Sequence, residues 1–197
     1  MKIAITGHTD IEKANGKKRP EGRVYDEAVF RKVYSEVETM IREVLKKLGI
    51  ALRDVTLITG MARGGDEVFA MYAMRHDLPL IAAIPYRKNW HKTHPNGALR
   101  YDEILDYIEK REDSYYKEIE KGYGGAYNAF FARNQYMVDI ADGVISYLKY
   151  DSPGTLDTIR RAEKADKYLG NVTDFVEVNE SADIKIRCEM NAKITNR

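Results

Sequence analysis

Three short glycine-bearing stretches carry residue types that could hold an anion. They are Thr6-Gly7-His8-Thr9-Asp10, Thr59-Gly60-Met61-Ala62-Arg63-Gly64-Gly65-Asp66 and Tyr150-Asp151-Ser152-Pro153-Gly154-Thr155. Glycine lacks Cβ, so its amide can approach a bound group closely, and the free N–H groups and dipole of a helix start favour negative charge. Phosphate suits this chemistry. In any one stretch the glycine serves equally well as a tight strand-to-helix turn, but three together point toward a nucleotide or another phosphorylated ligand. The candidate ligand-binding residues here are Gly7, His8, Gly60, Arg63, Gly64, Gly65, Gly154 and Thr155. Neither the dinucleotide pattern G-x-G-x-x-G nor the P-loop pattern G-x-x-x-x-G-K-[ST] occurs, which disfavours ordinary NAD binding and P-loop ATP hydrolysis. No cofactor is expected.

Other side chains extend this set. Arg133 and Asn134 follow Phe130 and Phe131, and an Arg there can contact phosphate bidentately as Lys cannot. Its structural alternative is a surface Arg paired with Asp139 or a Glu. Asp66 opens a helix, where a carboxylate is favoured as cap and dipole partner; the functional alternative is a ribose hydroxyl or a polarised water. Glu67 has the same helix-start explanation. His8 either donates to a ligand or hydrogen-bonds the loop backbone. The segment from Tyr86 to Pro95 holds the only Trp, Trp90, with Arg87, Lys88, Lys92, His91 and His94. Aromatic and cationic groups together suit stacking on a base and holding a phosphate, and the segment reads as a surface lid. His91 and His94 have no Cys or acidic ligand beside them, so no metal site is expected.

Positioning such loops requires strands that end in them. Ile3–Thr6, Val55–Thr59, Leu80–Ile84, Val144–Leu148 and Phe175–Val178 are short apolar runs rich in β-branched residues, the pattern of strands buried on both faces. Between them, Val29, Val33, Val37, Ile41, Val44, Leu45 and Leu48 recur at helical spacing and Gly49 supplies a stop, which predicts a helix over 26–48. Further helices are expected over 65–76, 98–121, 126–141 and 155–168. This alternation predicts one α/β domain over 1–180, a mainly parallel sheet of about five strands with helices on both faces. Residues 181–197 are left as an undecided tail. In such a sheet ligands bind at the carboxyl ends of the strands, where all three glycine loops fall.

The loops also carry a resemblance. Ile5-Thr6-Gly7-His8, Leu57 to Asp66, Ala132-Arg133-Asn134-Gln135-Tyr136-Met137-Val138 with Ala141-Asp142-Gly143-Val144-Ile145, and Pro153-Gly154-Thr155 with Thr158 and Ala162 resemble the SLOG superfamily. That superfamily unites DNA-processing protein A, the YpsA-like proteins and the LOG (Lonely Guy) nucleotide hydrolases. The resemblance implies a Rossmann-like domain that binds nucleotides or nucleotide-derived ligands, in some members with hydrolysis of an N-glycosidic bond. Arg133 matches the LOG arginine, while Gly154 and Thr155 match the GT of its PGGxGTxxE loop. The glycine pair of that loop is reduced here, and Thr158 stands where LOG has its catalytic Glu. Asp157 is one residue away, about 100° around a helix. A glycosidase reading therefore takes Asp66, Arg133 and Asp157 as catalytic candidates.

Composition bounds the alternatives. The 197 residues carry 32 Lys plus Arg against 31 Asp plus Glu, a net charge of +1, which argues against a polybasic nucleic-acid coat. DNA binding through the basic loop from Lys13 to Arg23 stays as a third reading, with nucleic acid disfavoured as a partner. The lone Cys188 cannot form an internal disulfide, and the few apolar residues at the start MKIAITGHTD, before a Gly and a polar stretch, are too short a run for a signal peptide or membrane span. A cytoplasmic protein without membrane partners is expected. Fourteen Tyr, including Tyr115, Tyr116, Tyr123, Tyr127 and Tyr136, make a homodimer interface an expectation, since tyrosine is enriched at interfaces.

Overall fold

The computed structural model describes residues 1–125 and 128–172. Strands β1 (Lys2–Gly7), β2 (Thr56–Thr59), β3 (Leu80–Pro85), β4 (Tyr115–Ile119), β5 (Gly143–Tyr147) and β6 (Tyr168–Asn171) pair in parallel, in the order β4-β3-β2-β1-β5-β6. The helices are α1 (Ile11–Ala14), α2 (Glu27–Leu48), α3 (Gly65–Arg75), α4 (Lys88–Thr93), α5 (Tyr101–Glu109), α6 (Ala129–Ile140) and α7 (Pro153–Lys164).

Side chains alternate across the strands, so two cores form. Ile3, Ile5, Leu57, Leu80, Ala82, Ile84, Ile145 and Tyr147 meet α2, α3 and α5 on one face. Ala4, Ile58, Ile81, Ala83 and Val144 meet α6 and α7 on the other. Helix α2 realises its apolar stripe: Val29, Val33, Val37, Met40, Ile41 and Val44 are buried, each side chain contributing about 1.5–3 kcal/mol. Asp26 caps it by accepting the amides of Ala28 and Val29, and Gly49 ends it at φ 66°.

Two expectations are corrected. Residues 98–121 are not one helix: α5 stops at Glu109, and Tyr115–Ile119 add an edge strand to β3, giving six strands rather than about five. The apolar stripe of α5 lapses after Ile108, and an edge strand buries too few side chains to show a continuous apolar run. Likewise, the helix expected over 155–168 ends at Lys164; Asp166 turns left-handed at φ 58° and the chain enters β6. The strand expected at 175–178, the boundary at 180 and Cys188 lie outside the described residues.

After β4 the chain crosses back along α6 and enters β5 on the far side of β1. The strand order therefore reverses between β1 and β5, the position where open α/β sheets form their crevice. Among the described residues no helix is long and apolar enough to cross a membrane.

Candidate functional site

The loops after β1 and β2 touch through backbone. A Cβ on Gly64, which has φ +84°, would lie 2.1 Å from the His8 carbonyl oxygen, and one on Gly7 would come 3.1 Å from the Gly65 Cα. The Gly65 amide donates to that same His8 carbonyl at 3.0 Å. This approach turns the start of α3 under the loops, where the backbone amides of Ala62, Gly60 and Gly7 lie near the Asp66 carboxylate and favour its charged form. The amides of Gly7 and Gly60 thus face an internal carboxylate. Asp66 is only 4% exposed, and burial raises its pKa to about 6 against the opposing pull of Arg133 and the three amides.

Arg133, on α6, reaches over the same loop. Its Nη1 donates to the Gly60 carbonyl and lies 3.2 Å from Asp66 Oδ2. A side chain at position 60 would fall 1.9 Å from that Nη1, so glycine there makes room for the ion pair. Arg133 Nε donates to Asn134 Oδ1 at 3.0 Å, and Asn134 Nδ2 donates to the Gly154 carbonyl at 3.3 Å and to Asp157 Oδ2 at 3.2 Å. One charged chain, Asp66–Arg133–Asn134–Asp157, therefore runs from the loop after β2 to the start of α7. Arg133 pairs with Asp66 and not with Asp139.

At the start of α7 the N-cap residue Ser152 makes no side-chain bond to the first turn, and Thr155 Oγ1 donates to Ser152 Oγ instead. A Cβ on Gly154 would meet nothing within 4 Å. Thr158 is buried and returns its hydroxyl to the Gly154 carbonyl at 3.1 Å.

His8 bridges the crevice between β1 and β5. Its Nε2 accepts the amides of Lys149 at 2.8 Å and Tyr150 at 3.3 Å. Its ring stacks on Tyr150 with centroids 3.9 Å apart. Accepting two amides requires Nε2 to be bare, so the proton sits on Nδ1. Burial first, then Lys149, lowers the imidazole pKa to about 4, and the ring is neutral at pH 7.

Arg63 of the second glycine stretch and Glu67 just after it are placed in the interior. Arg63 is 0% exposed. Its Nη2 donates to Glu12 Oε1 at 3.2 Å and to the Val24 carbonyl at 2.9 Å, with its guanidinium over the Tyr25 ring. It ties the loop after β1 to the loop after β2 and is not brought to the Asp66–Arg133 chain. Glu67 accepts the Tyr25 hydroxyl at 2.8 Å and the amides of Leu99 and Arg100 at 2.6 and 3.1 Å, which anchors the start of α5. Burial raises its pKa.

The segment from Tyr86 to Pro95 forms α4, flanked by the carboxyl end of β3. Trp90 is 45% exposed and packs against Tyr86, His94 and Phe130. His91 is buried, its Nδ1 3.4 Å from the Tyr101 hydroxyl, and burial lowers its pKa to about 3. His94 Nδ1 accepts the Asn96 amide. Among the described residues no group of three or more His, Cys, Asp or Glu could hold a metal ion. Met61, after β2, and Tyr86, after β3, both hold positive φ, at 56° and 61°. Among the described residues, the other two non-glycine residues with positive φ, Asp77 and Asp166, precede β3 and β6 at the opposite edge of the sheet.

The sequence matches the family model of DNA recombination-mediator protein A over residues 30–197. The chain belongs to that family. The match agrees with the SLOG resemblance read from the loops. Among solved structures, DNA processing protein A from Streptococcus pneumoniae superposes with a TM-score of 0.54 at 19% identity. The superposition covers 86% of this chain and 49% of that one, so this chain spans about half the length of that protein. The structural-genomics target TM1055 superposes with a TM-score of 0.45 at 13% identity, over 84% of this chain and 70% of that one. No curated protein matches. The likeness to DNA processing protein A supports the Rossmann-like fold.

Within this member of the family, Arg161 and Gln135, which were not among the candidate site residues, lengthen the charged chain. Arg161 Nε donates to Asp157 Oδ2 at 2.8 Å, its Nη1 bonds Gln135, and Gln135 bonds Asp139 at 2.7 Å. Asp157 and Arg161 stand four apart on one helix, a spacing that does mark an ion pair in the sequence. Gln135 carries no such signal.

Proposed function

We propose that the carboxyl edge of this sheet binds a nucleotide or nucleotide-derived phosphorylated ligand. Its phosphate docks on the first-turn amides of Gly154 and Thr155, and its sugar hydroxyls lie toward Asp66. The observation that carries this reading is the chain Asp66–Arg133–Asn134–Asp157, which links the buried carboxylate to the start of α7. The Asp66 carboxylate already sits beside the amides of Gly7 and Gly60, which makes the α7 start the better phosphate position. A helix N-terminus favours an anion through its orphan N–H groups and dipole. Lys13, whose Nζ lies 4.7 Å from the Tyr150 ring centre, adds a cation beside the loop leading there. Thermal-shift titration with adenosine and guanosine mono- and diphosphates tests the reading. Stabilisation of the wild type and its loss in Gly154→Leu is expected; silence across the panel refutes it.

The N-glycosidase variant of this reading assigns proton transfer to Asp66, whose midpoint of about 6 suits it, with Arg133 steadying charge and Asp157 holding Asn134. Chromatography for free base released from nucleoside monophosphates decides it.

A second reading, nucleic-acid binding, is favoured by the family match and by exposed Trp90 among Arg87, Lys88 and Lys92. Aromatic stacking with cations suits single strands. A gel shift with single-stranded DNA tests it, because phosphate-driven binding weakens steeply between low and moderate salt.

A further inference from the structure

A groove of about 850 Å³ opens between α2, α3 and α5, on the sheet face opposite α6 and α7. None of its residues belongs to the Asp66–Arg133 chain. Phe30 and Tyr34 of α2 and Met71 and Met74 of α3 form its apolar lining, and Arg75 and Arg100 stand over the two rings. The Arg75 Cζ lies 5.5 Å from the Tyr34 centroid and the Arg100 Cζ 4.8 Å from that of Phe30. A guanidinium carries five N–H donors, so one that contacts a ring face has donors to offer an oxyanion.

The charges there are unevenly matched. Arg31 at the rim pairs with Glu27 at 3.4 Å, and the Arg100 Nε lies 4.0 Å from Glu103. The Arg100 Nη1 is buried and has no hydrogen-bond acceptor. Arg75 makes no ion pair among the described residues, facing the Tyr34 hydroxyl instead. A buried donor without an acceptor is costly, and an anionic oxygen beside it removes that cost. Methionine thioethers adapt to irregular shapes and make favourable contacts with aromatic edges.

We propose that this groove is a second binding site, for a small aromatic anion: a ring system seated on Met71, Met74 and Phe30, with its carboxylate or sulfonate between Arg75 and Arg100. The apolar lining selects the ring, and the two guanidiniums select the charge.

Anilinonaphthalene sulfonate serves as the probe, titrated into the full chain while the methionine methyl resonances are followed by NMR and assigned by Met71→Leu and Met74→Leu. Saturable one-to-one binding is expected, shifting Met71 and Met74 while Met137, in the opposite core, stays in place. Arg75→Gln and Arg100→Gln keep much of the side-chain stem, and each should weaken binding about tenfold, the worth of one charge-assisted hydrogen bond. An unmoved Met137 signal in each variant reports an intact fold. The proposal is overturned if the shifts centre on Met61 or Met137, if uncharged anilinonaphthalene binds equally well, if both Gln variants bind as the wild type does, or if the groove is filled by a second copy of the chain, seen as a concentration-dependent dimer that excludes the probe.

Discussion

Asp66 and His8 sit at neighbouring strand ends and titrate in opposite senses. Asp66 is raised from 3.8 to about 6 by burial, so its neutral form is favoured in the folded state. The stability this contributes is fully present below about pH 4 and is lost as pH rises to about 6. His8 is lowered from 6.5 to about 4; its contribution is present above about pH 6.5 and is lost as pH falls toward 4. In the wild type the two slopes oppose each other. Replacing Asp66 with Asn should therefore steepen the rise of stability with pH between about 4 and 6, by about 3 kcal/mol across that window at 1.36 kcal/mol per pKa unit. Urea denaturation at several pH values measures it, and parallel curves for wild type and variant would contradict the assignment. The glycines separate by a similar argument. Gly64→Ala meets both a positive φ and the His8 carbonyl, which should cost about 2–4 kcal/mol of stability. Gly154→Ala meets open space and should be neutral or stabilising by up to about 1 kcal/mol. The melting temperatures of the two variants test this contrast.

At the scale of elements, the interior tie between Arg63 and Glu12 joins the loops after β1 and β2. Removing Glu12 alone leaves a fully buried guanidinium without its carboxylate, which should cost about 3–5 kcal/mol, while Glu12→Leu combined with Arg63→Met should recover part of that loss. Chemical denaturation of the single and double variants checks the order. This tie also marks where sequence reading stops. Arg63 shares a glycine-rich stretch with Asp66, so local pattern alone treats both as edge residues; its partners Glu12 and Val24 lie 51 and 39 residues away in the chain. By contrast β1, β2, β3 and β5, buried on both faces, and α2, with its unbroken stripe and Gly49 stop, were legible because burial itself writes their patterns. Edge strand β4 was not, since Tyr115–Ile119 buries mainly Ile119. In the site, Asp66, Arg133, Asn134, Asp157 and Gly154 were legible from motif order. That the amides of Gly7 and Gly60 lie beside Asp66 was not, because it depends on the backbone contact of two loops.

Across the whole molecule, a net charge of +1 hides an uneven layout. Acid and base pair inside the edge site, Asp66 with Arg133 and Asp157 with Arg161, so the proposed nucleotide reading places the phosphate at the α7 helix start and the cations beside it. The reversal of strand order between β1 and β5 sets that helix next to the buried carboxylate, with His8 bridging the gap. The most direct test of this account is the melting temperature of the wild type and of Gly154→Leu with each nucleoside mono- and diphosphate. At a ligand concentration near 100 times Kd, binding adds about 2.7 kcal/mol, which raises the wild-type melting temperature by about 5–10 °C for a chain of this size. The account predicts that rise in the wild type and its absence in Gly154→Leu, whose own melting temperature stays near the wild-type value. An unchanged wild-type melting temperature with every nucleotide, or an equal rise in Gly154→Leu, would contradict it.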